Sequence, residues 1–148
     1  MKVKILILAV IILTGITTYA QQNIIDSLIH QEYQRNYTLH LPTNYNNSKS
    51  TPLVVFLHGG GGNALSAQRF TGFNQVSNQY SFLVAYPEAH YESKPNSFIW
   101  ADGRNTIADK SGIDDIGFIN KLLDTLIFDY NIDTNRIYLC GFSNGSFL

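Results

Sequence analysis

The sequence contains little cysteine and little charge. Its 148 residues include one Cys and 14% charged residues, and the formal net charge is −1. A single cysteine cannot build an internal disulfide framework, and no group of Cys and His residues has the spacing of a zinc site. So small a net charge argues against a polybasic nucleic-acid binder and against a disordered segment. The 45% hydrophobic content instead predicts one globular domain with a packed core.

The N-terminus carries an apolar run that is too short to span a membrane. Two lysines precede mostly apolar residues 5–16, and the small residue Ala20 follows shortly after them. This pattern predicts a secretory signal peptide over residues 1–20, cleaved after Ala20, with a retained N-terminal anchor as the alternative. A membrane helix needs about 20 apolar residues. We therefore expect a secreted or periplasmic protein with no stable membrane insertion once the signal is removed.

Beyond residue 20, strand patterns alternate with helix patterns, and there is no internal repeat or linker. Such alternation predicts an α/β fold with a mostly parallel sheet and flanking helices. Strands are predicted at residues 37–41, 53–57, 82–86 and 137–140, and helices at residues 63–79 and from Asp114 or Asp115 to about residue 130. Residues 88–113 are predicted to form a loop, and residues 131–136 a turn.

The last predicted strand runs into a G-x-S-x-G pattern, Gly141-Phe142-Ser143-Asn144-Gly145. At the end of a buried strand, this pattern is typical of a nucleophile elbow, a tight turn that lifts the serine Oγ clear of the sheet. Such a turn leaves almost no room for neighbouring side chains, and the two glycines meet that demand. Ser143 is therefore the candidate nucleophile.

A second motif, His58 followed by four glycines, comes directly after the strand predicted at residues 53–57. Acyl transfer needs backbone N–H groups aimed at the developing oxyanion, and glycine lets a loop approach a substrate closely. We predict that the N–H groups of Gly60 and Asn144 form this oxyanion hole. The alternatives are a flexible strand-to-helix turn and a phosphate loop. A Walker-type phosphate loop needs Gly-Lys-Ser/Thr after the glycines, whereas residues 63–65 are Asn-Ala-Leu.

Other residues are predicted to support these two motifs. Gly59, Gly61 and His58 form the rest of the supporting loop, with the His58 side chain bracing the turn rather than reaching Ser143. Trp100 either contacts substrate in an acyl-binding cleft or acts as a structural anchor.

Carboxylates near the predicted α-helix have structural roles in this interpretation. Asp102 and Arg104 pair with each other or hold their loop. Asp114 and Asp115 are predicted to cap the helix that follows them rather than to form a catalytic or metal-binding pair.

Together these stretches resemble the secreted α/β-hydrolase esterases that include polyhydroxybutyrate depolymerases and feruloyl or acetylxylan esterases. Similar segments are residues 52–64, 84–88, 100–104, 114–119 and 132–145, in that order. The resemblance implies that residues 21–148 are the N-terminal portion of an α/β-hydrolase esterase domain. It implies a serine esterase acting on carboxylic esters of a polymer, a plant cell-wall conjugate or a small molecule. No cofactor and no metal is implied, since side chains, backbone donors and water suffice.

The resemblance also implies that catalytic residues are missing. In α/β hydrolases the acid and the histidine follow the nucleophilic serine in chain order, and only residues 144–148 follow Ser143. We therefore interpret the chain as the front part of a longer esterase, inactive by itself, whose last strand is partly uncovered. Without a general base a serine hydroxyl is a weak nucleophile.

Two other functions remain open at this point. One is a secreted serine peptidase of the same fold, which would use the same elbow. The other is a non-catalytic exported protein that binds a polysaccharide or polyester. Labelling of Ser143 by a fluorophosphonate would separate a reactive serine from a pure binding protein.

Overall fold

The computed structural model describes residues 22–148. The predicted signal peptide lies outside the described residues. Within residues 22–148, no helix is both long enough and apolar enough to cross a lipid bilayer.

A central sheet organises the described chain. In chain order, the strands are β1 (Gln22–His30), β2 (Tyr33–Leu41), β3 (Thr51–Leu57), β4 (Leu83–Pro87), β5 (Tyr91–Glu92), β6 (Ser97–Phe98) and β7 (Ile132–Gly141). Five of them form the central sheet in the spatial order β1, β2, β4, β3, β7, and β5 pairs with β6 in a small hairpin. β3 is parallel to both β4 and β7, whereas β1 and β2 add to one side in antiparallel pairing. The carboxyl ends of β3, β4 and β7 therefore meet at one edge of the sheet.

Helices cover both faces of this sheet. They are α1 (Ala64–Thr71), α2 (Phe73–Tyr80), α3 (Ile107–Lys110) and α4 (Asp115–Asp129). The larger core lies under α4, which buries Phe118, Leu122 and Leu126 completely. A smaller core lies under α1, whose Ala64 and Ala67 are both buried. The α/β fold class predicted from the sequence is confirmed.

The hairpin of β1 and β2 was not predicted. Its two-residue turn, Gln31 and Glu32, has positive φ angles of 48° and 66°. Turns of this kind usually contain Asn-Gly or Asp-Gly, so the sequence carries no turn signal here. In addition, Ile25 of β1 is 82% exposed, so the apolar residues of β1 do not all lie on its buried face and give no clear alternating pattern.

The helix predicted at residues 63–79 is two helices. Gly72 has a φ angle of 61°, and this left-handed residue ends α1 and precedes α2. Glycine adopts that conformation without strain, so the break falls at the one glycine in the segment. Asn63 caps α1, since its side-chain oxygen accepts a hydrogen bond from the Ser66 N–H at 2.8 Å.

Two further segments also differ from their predictions. The loop predicted at residues 88–113 contains the β5–β6 hairpin and α3. The turn predicted at residues 131–136 is largely strand, because β7 begins at Ile132 and pairs with β3 across a shift in register.

The two aspartates at the start of α4 have different roles. Asp114 caps the helix as predicted, accepting a hydrogen bond from the Gly117 N–H at 2.8 Å. The capping prediction for Asp115 is wrong: its side chain is fully buried and forms an ion pair with Arg35, and it accepts a hydrogen bond from the Ala101 N–H at 2.7 Å. Buried charges are usually paired in this way because leaving one alone is costly. The pair ties α4 to the start of β2.

Candidate active site

The glycine loop, residues 58–62, is a sharp turn at the carboxyl end of β3. The Gly62 N–H donates to the Gly59 carbonyl at 2.9 Å, and the Gly61 N–H donates to the Phe98 carbonyl at 2.8 Å. Gly61 has a φ angle of 79°, which favours glycine at this position. The loop is therefore held in one shape by its own backbone and by the β5–β6 hairpin.

His58 holds this loop from below. Its imidazole is buried and its Nδ1 lies 2.7 Å from the Gly59 carbonyl oxygen, while its Nε2 accepts a hydrogen bond from the Ala89 N–H at 3.1 Å. Because Nε2 accepts a hydrogen bond and Nδ1 faces a carbonyl oxygen, the single proton of the neutral ring is on Nδ1. Burial lowers the pKa of His58, which favours this neutral form. Both ring nitrogens are occupied, so the side chain braces the turn.

The elbow, residues 141–145, turns sharply at the carboxyl end of β7. Ser143 is exposed and has a positive φ angle of 48°, an uncommon conformation for a residue with a side chain. A Cβ at Gly141 would overlap the carbonyl oxygen of Gly145, and a Cβ at Gly145 would lie 2.6 Å from the carbonyl oxygen of Leu57. Both positions therefore require glycine, for the steric reason that the G-x-S-x-G pattern suggests.

The glycine loop and the elbow lie against each other. A Cβ built on Gly59 would be 3.4 Å from the Ser143 Cβ, and one built on Gly60 would be 3.7 Å from the Asn144 Cβ. Within residues 22–148, the N–H groups of Gly60 and Asn144 donate to no protein oxygen. The fold thus brings Gly59 beside Ser143 and Gly60 beside Asn144.

The side chain of Asn144 fixes the elbow to a neighbouring loop. Its Oδ1 accepts a hydrogen bond from the Trp100 N–H at 2.8 Å, and its Nδ2 donates to the Trp100 carbonyl at 3.2 Å and to Asp102 Oδ2 at 2.6 Å. The sequence pattern predicts a role only for the backbone N–H of Asn144. The only sequence signal for the role of this side chain is its position directly after the candidate nucleophile. Its hydrogen-bond partners are 42 and 44 residues away and could not be predicted from the sequence.

Asp102 and Arg104 pair as predicted, and the pair also holds Asn144. The Arg104 Nε lies 3.0 Å from Asp102 Oδ2, the same oxygen that accepts from Asn144. The hydrogen bond from Arg104 lowers the pKa of the Asp102 carboxyl. The Arg104 guanidinium also stacks on Phe147, with its Cζ 3.6 Å from the ring centroid. This network connects the loop after β6 to the elbow and to Phe147, which follows the elbow.

Trp100 is a structural anchor rather than a substrate contact. Its side chain is completely buried, and its indole N–H donates to the His58 carbonyl at 2.8 Å. Its ring centroid lies 5.1 Å from that of the His58 imidazole. A residue with no exposed surface cannot line an open cleft, so the alternative that gave Trp100 a substrate contact is corrected.

An apolar cavity opens beside the glycine loop. It has a volume of about 200 Å³, and its wall includes residues of the loop, of β3 and of α1. Phe142, which immediately precedes Ser143, forms part of that wall, and its ring lies 4.8 Å from that of Phe70. The cavity offers an apolar surface next to the elbow.

The remaining imidazoles of the described chain lie away from Ser143 or are engaged elsewhere. His30 Nε2 lies 3.1 Å from Asp114, and His40 is fully buried between Asn23 and Asn78. No imidazole of residues 22–148 hydrogen-bonds to Ser143. In the same residues, no group of three or more His, Cys, Asp or Glu side chains could hold a metal ion.

A left-handed serine at the carboxyl end of a parallel strand, beside a glycine loop and on a sheet flanked by helices, defines the α/β-hydrolase fold. Residues 35–148 match the esterase family described as PHB depolymerase, and the chain belongs to this family.

Individual relatives agree with this assignment. The chain is 29% identical over 111 residues to the bifunctional acetylxylan esterase/xylanase XynS20E of Neocallimastix patriciarum, covering 75% of this chain and 14% of that protein. It is 31% identical over 98 residues to feruloyl esterase B of Neurospora crassa, covering 65% of this chain and 32% of that protein. Each aligned region is therefore less than half of the relative.

A solved structure shows the same fold. The acetyl xylan esterase from Aspergillus awamori superposes with a TM-score of 0.63 at 18% sequence identity, over 82% of this chain and 43% of that one. At this identity the superposition supports the fold and not the substrate.

Proposed function

We propose that this chain carries the nucleophile and the oxyanion hole of an exported serine esterase. Ser143 is the nucleophile, and the N–H groups of Gly60 and Asn144 are the oxyanion donors. The observation that carries this proposal is the contact between the glycine loop and the elbow, in which Ser143 has a left-handed backbone conformation. It is supported by the Gly60 and Asn144 N–H groups, which have no acceptor among residues 22–148. Membership of an esterase family supports the same chemistry.

In the proposed reaction, Ser143 Oγ forms a bond to the carbonyl carbon of an ester while its proton passes to a general base. The carbonyl electron pair moves onto oxygen, and this oxyanion accepts hydrogen bonds from Gly60 and Asn144. Collapse of the intermediate breaks the bond to the alcohol, which leaves with a proton. Water then attacks the acyl-enzyme, which releases the carboxylic acid and restores Ser143.

The general base is not assigned to any residue of the described chain. His58 is unsuitable because one nitrogen faces a carbonyl and the other accepts from a backbone N–H. We propose that the acid and the histidine of the catalytic triad lie outside these 148 residues. By itself the chain then retains only the contribution of the oxyanion hole, which in serine proteases lacking a triad member is about 10³- to 10⁴-fold over water.

The proposed substrates are carboxylic esters of a polymer: polyhydroxyalkanoates, or polysaccharides that bear acetyl or feruloyl groups. The family description and the names of the two relatives support this range. The apolar cavity beside Phe142 would take an apolar part of such a substrate.

Export is also part of the proposal. Two lysines and the apolar residues 5–16 support a signal peptide that ends at Ala20. N-terminal sequencing of protein recovered from the periplasm or the medium of an expressing cell should then begin at Gln21. Recovery of the intact N-terminus from the membrane fraction would instead identify a retained anchor.

The nucleophile is tested by treating the full 148-residue chain with a fluorophosphonate and mapping the adduct by mass spectrometry. We expect one slowly formed adduct, located on Ser143, because the oxyanion donors stabilise charge only at that serine. Ser143→Ala should abolish it. Ser146→Ala is the matched control, since Ser146 is exposed and three residues away, and it should leave the adduct in place. An adduct distributed over several serines, or none on a folded chain, would reject Ser143 as the nucleophile.

A further inference from the structure

A second cavity, with a volume of about 140 Å³, lies beside the β5–β6 hairpin. We call it the aromatic groove and define it by six of its lining residues: Tyr33, Asn36, Glu88, His90, Tyr91 and Phe98. All of them belong to segments that the described chain contains completely: the start of β2, the segment after β4, and the hairpin. The catalytic chemistry proposed above uses none of these side chains.

Four rings form the apolar part of this groove, and they are arranged as two edge-to-face pairs. The Tyr33 and His90 centroids are 4.6 Å apart, and those of Tyr91 and Phe98 are 5.2 Å apart. Tyr33 and Tyr91 are each 46% exposed. Edge-to-face packing fixes ring orientation at little entropic cost. The groove therefore presents rigid aromatic surface to solvent.

Polar groups surround this aromatic surface. Within residues 22–148, the hydroxyl of Tyr33, the amide of Asn36 and the ring nitrogens of His90 have no hydrogen-bond partner in the protein. The Glu88 carboxylate is partly engaged, since its Oε1 accepts from the Ala64 N–H at 3.1 Å. The groove thus offers hydrogen-bond donors and acceptors around aromatic rings.

The charges in the groove exclude an anionic ligand. Arg35 also lines the groove, but it is 2% exposed and forms an ion pair with Asp115. The other charged residue of the lining is Glu88, which is negative. A purely aliphatic ligand is also a poor match, because it would leave the polar rim without partners.

We infer that the aromatic groove binds a neutral sugar ring. A sugar has C–H groups on one face, which can stack on Tyr33 or Tyr91, and hydroxyl groups at its edge, which can exchange hydrogen bonds with Asn36, His90 and Glu88. Aromatic walls combined with a few convergent polar groups are typical of small-molecule sites. Of the polymers proposed above, this selects an esterified polysaccharide over an aliphatic polyester. That selection rests on the proposed function, whereas sugar binding itself does not.

The position of the groove connects it to the candidate active site. Phe98, in its wall, accepts the hydrogen bond from the Gly61 N–H at 2.8 Å, and Ala89, next to Glu88, donates to His58 at 3.1 Å. A sugar in the groove would lie against the two segments that support the glycine loop.

The test is a titration of the full 148-residue chain with xylohexaose, a neutral oligosaccharide, followed by NMR and calorimetry. We expect saturable binding, weakened at least about fivefold by Tyr33→Ala or Tyr91→Ala, because each removes one stacking face. Tyr33→Phe keeps the ring and should stay within about twofold of the parent chain. Tyr80→Ala is the matched control, since Tyr80 is 67% exposed on α2 and outside the groove, and it should not change binding.

Several results would overturn the inference. These are no saturable binding by a chain that circular dichroism shows to be folded, an equal loss in Tyr80→Ala, or saturation of the groove by free ferulic acid but not by xylohexaose. No turnover is needed, so the two proposals fail separately. A chain that binds xylohexaose through Tyr33 but forms no fluorophosphonate adduct would keep the sugar site and reject the proposed nucleophile.

Discussion

Strands β4 and β7 lie on opposite sides of β3 and run parallel to it, yet they are buried to very different extents. All five residues of β4 are buried, whereas Tyr138 and Leu139 of β7 are 55% and 57% exposed. Residues 137–140 of β7 are nevertheless similar to β4 in apolar character. Within the described residues, β4 has two strand neighbours and β7 has one. An apolar run therefore predicts a strand, but the neighbours that cover it decide how much it stabilises the fold.

In its packing, the elbow that follows β7 differs from β7 itself. The elbow after β7 is tightly packed although much of β7 itself is exposed. Gly145 lies against the carbonyl groups of Leu57 and His58, at the end of β3, and Gly141 lies against the carbonyl group of Gly145. The geometry of the candidate active site thus depends on the contact between two loops and not on the burial of the strand that carries Ser143.

The largest effect is expected from a cavity in β4. Leu83 is 0% exposed, so Leu83→Ala should lower the free energy of unfolding by about 2–5 kcal/mol, through lost burial and an unfilled cavity. Urea unfolding of the full chain measures this change. A cost below about 1 kcal/mol would show that β4 contributes little to stability and would remove the contrast with β7.

A smaller effect is expected at the elbow. Gly145→Ala places a methyl group 2.6 Å from the Leu57 carbonyl oxygen, and we expect a loss of about 1–3 kcal/mol together with loss of the Ser143 adduct. Gly60→Ala is the matched control for stability, since its methyl group would lie 3.7 Å from the Asn144 Cβ, at ordinary contact distance. Equal destabilisation by both variants would contradict the steric explanation for Gly145.

A pH-dependent effect on stability is expected from two buried imidazoles, those of His40 and His58. Burial lowers the pKa of both His40 and His58 from the usual 6.5. Below that pH the unfolded chain binds protons that the folded protein does not yet accept, so the free energy of unfolding should fall as the pH decreases from 7.5 through 6.5. Urea unfolding at several pH values measures the slope.

Substitution of each histidine checks the source of that slope. His58→Gln or His40→Gln removes one of the titrating groups, and each should make the dependence on pH shallower. An unchanged slope in both variants would assign the pH dependence to other groups.

The smallest effect is expected in β7. Leu139→Ala is the same chemical change as Leu83→Ala, but Leu139 is 57% exposed, so we expect a loss below about 1 kcal/mol. Because the two leucine variants are compared in one protein and by one method, a difference in their loss of stability is attributable to the difference in burial of the two side chains. Similar losses would indicate that β7 is covered in solution by something outside the described residues, for example another copy of the chain.

Much of this architecture could be predicted from the sequence. The apolar runs that form β3, β4 and the carboxyl half of β7, and the cap at Asp114, depend on residues close together in the chain. The elbow and the glycine loop were also recognisable, since each needs glycine at positions a few residues apart. The β1–β2 hairpin was missed because its turn has neither glycine nor asparagine.

The tertiary structure decided where those local pieces meet. It buried Trp100 beneath His58, joined Asp115 to Arg35, and tied Asn144 to Asp102, and these pairs are 42, 80 and 42 residues apart. The sequence alone determined the glycines that allow Ser143 its turn, because that requirement is steric and local. Only the folded sheet brought the glycine loop against the elbow, because such contacts depend on strand order, which no local pattern encodes.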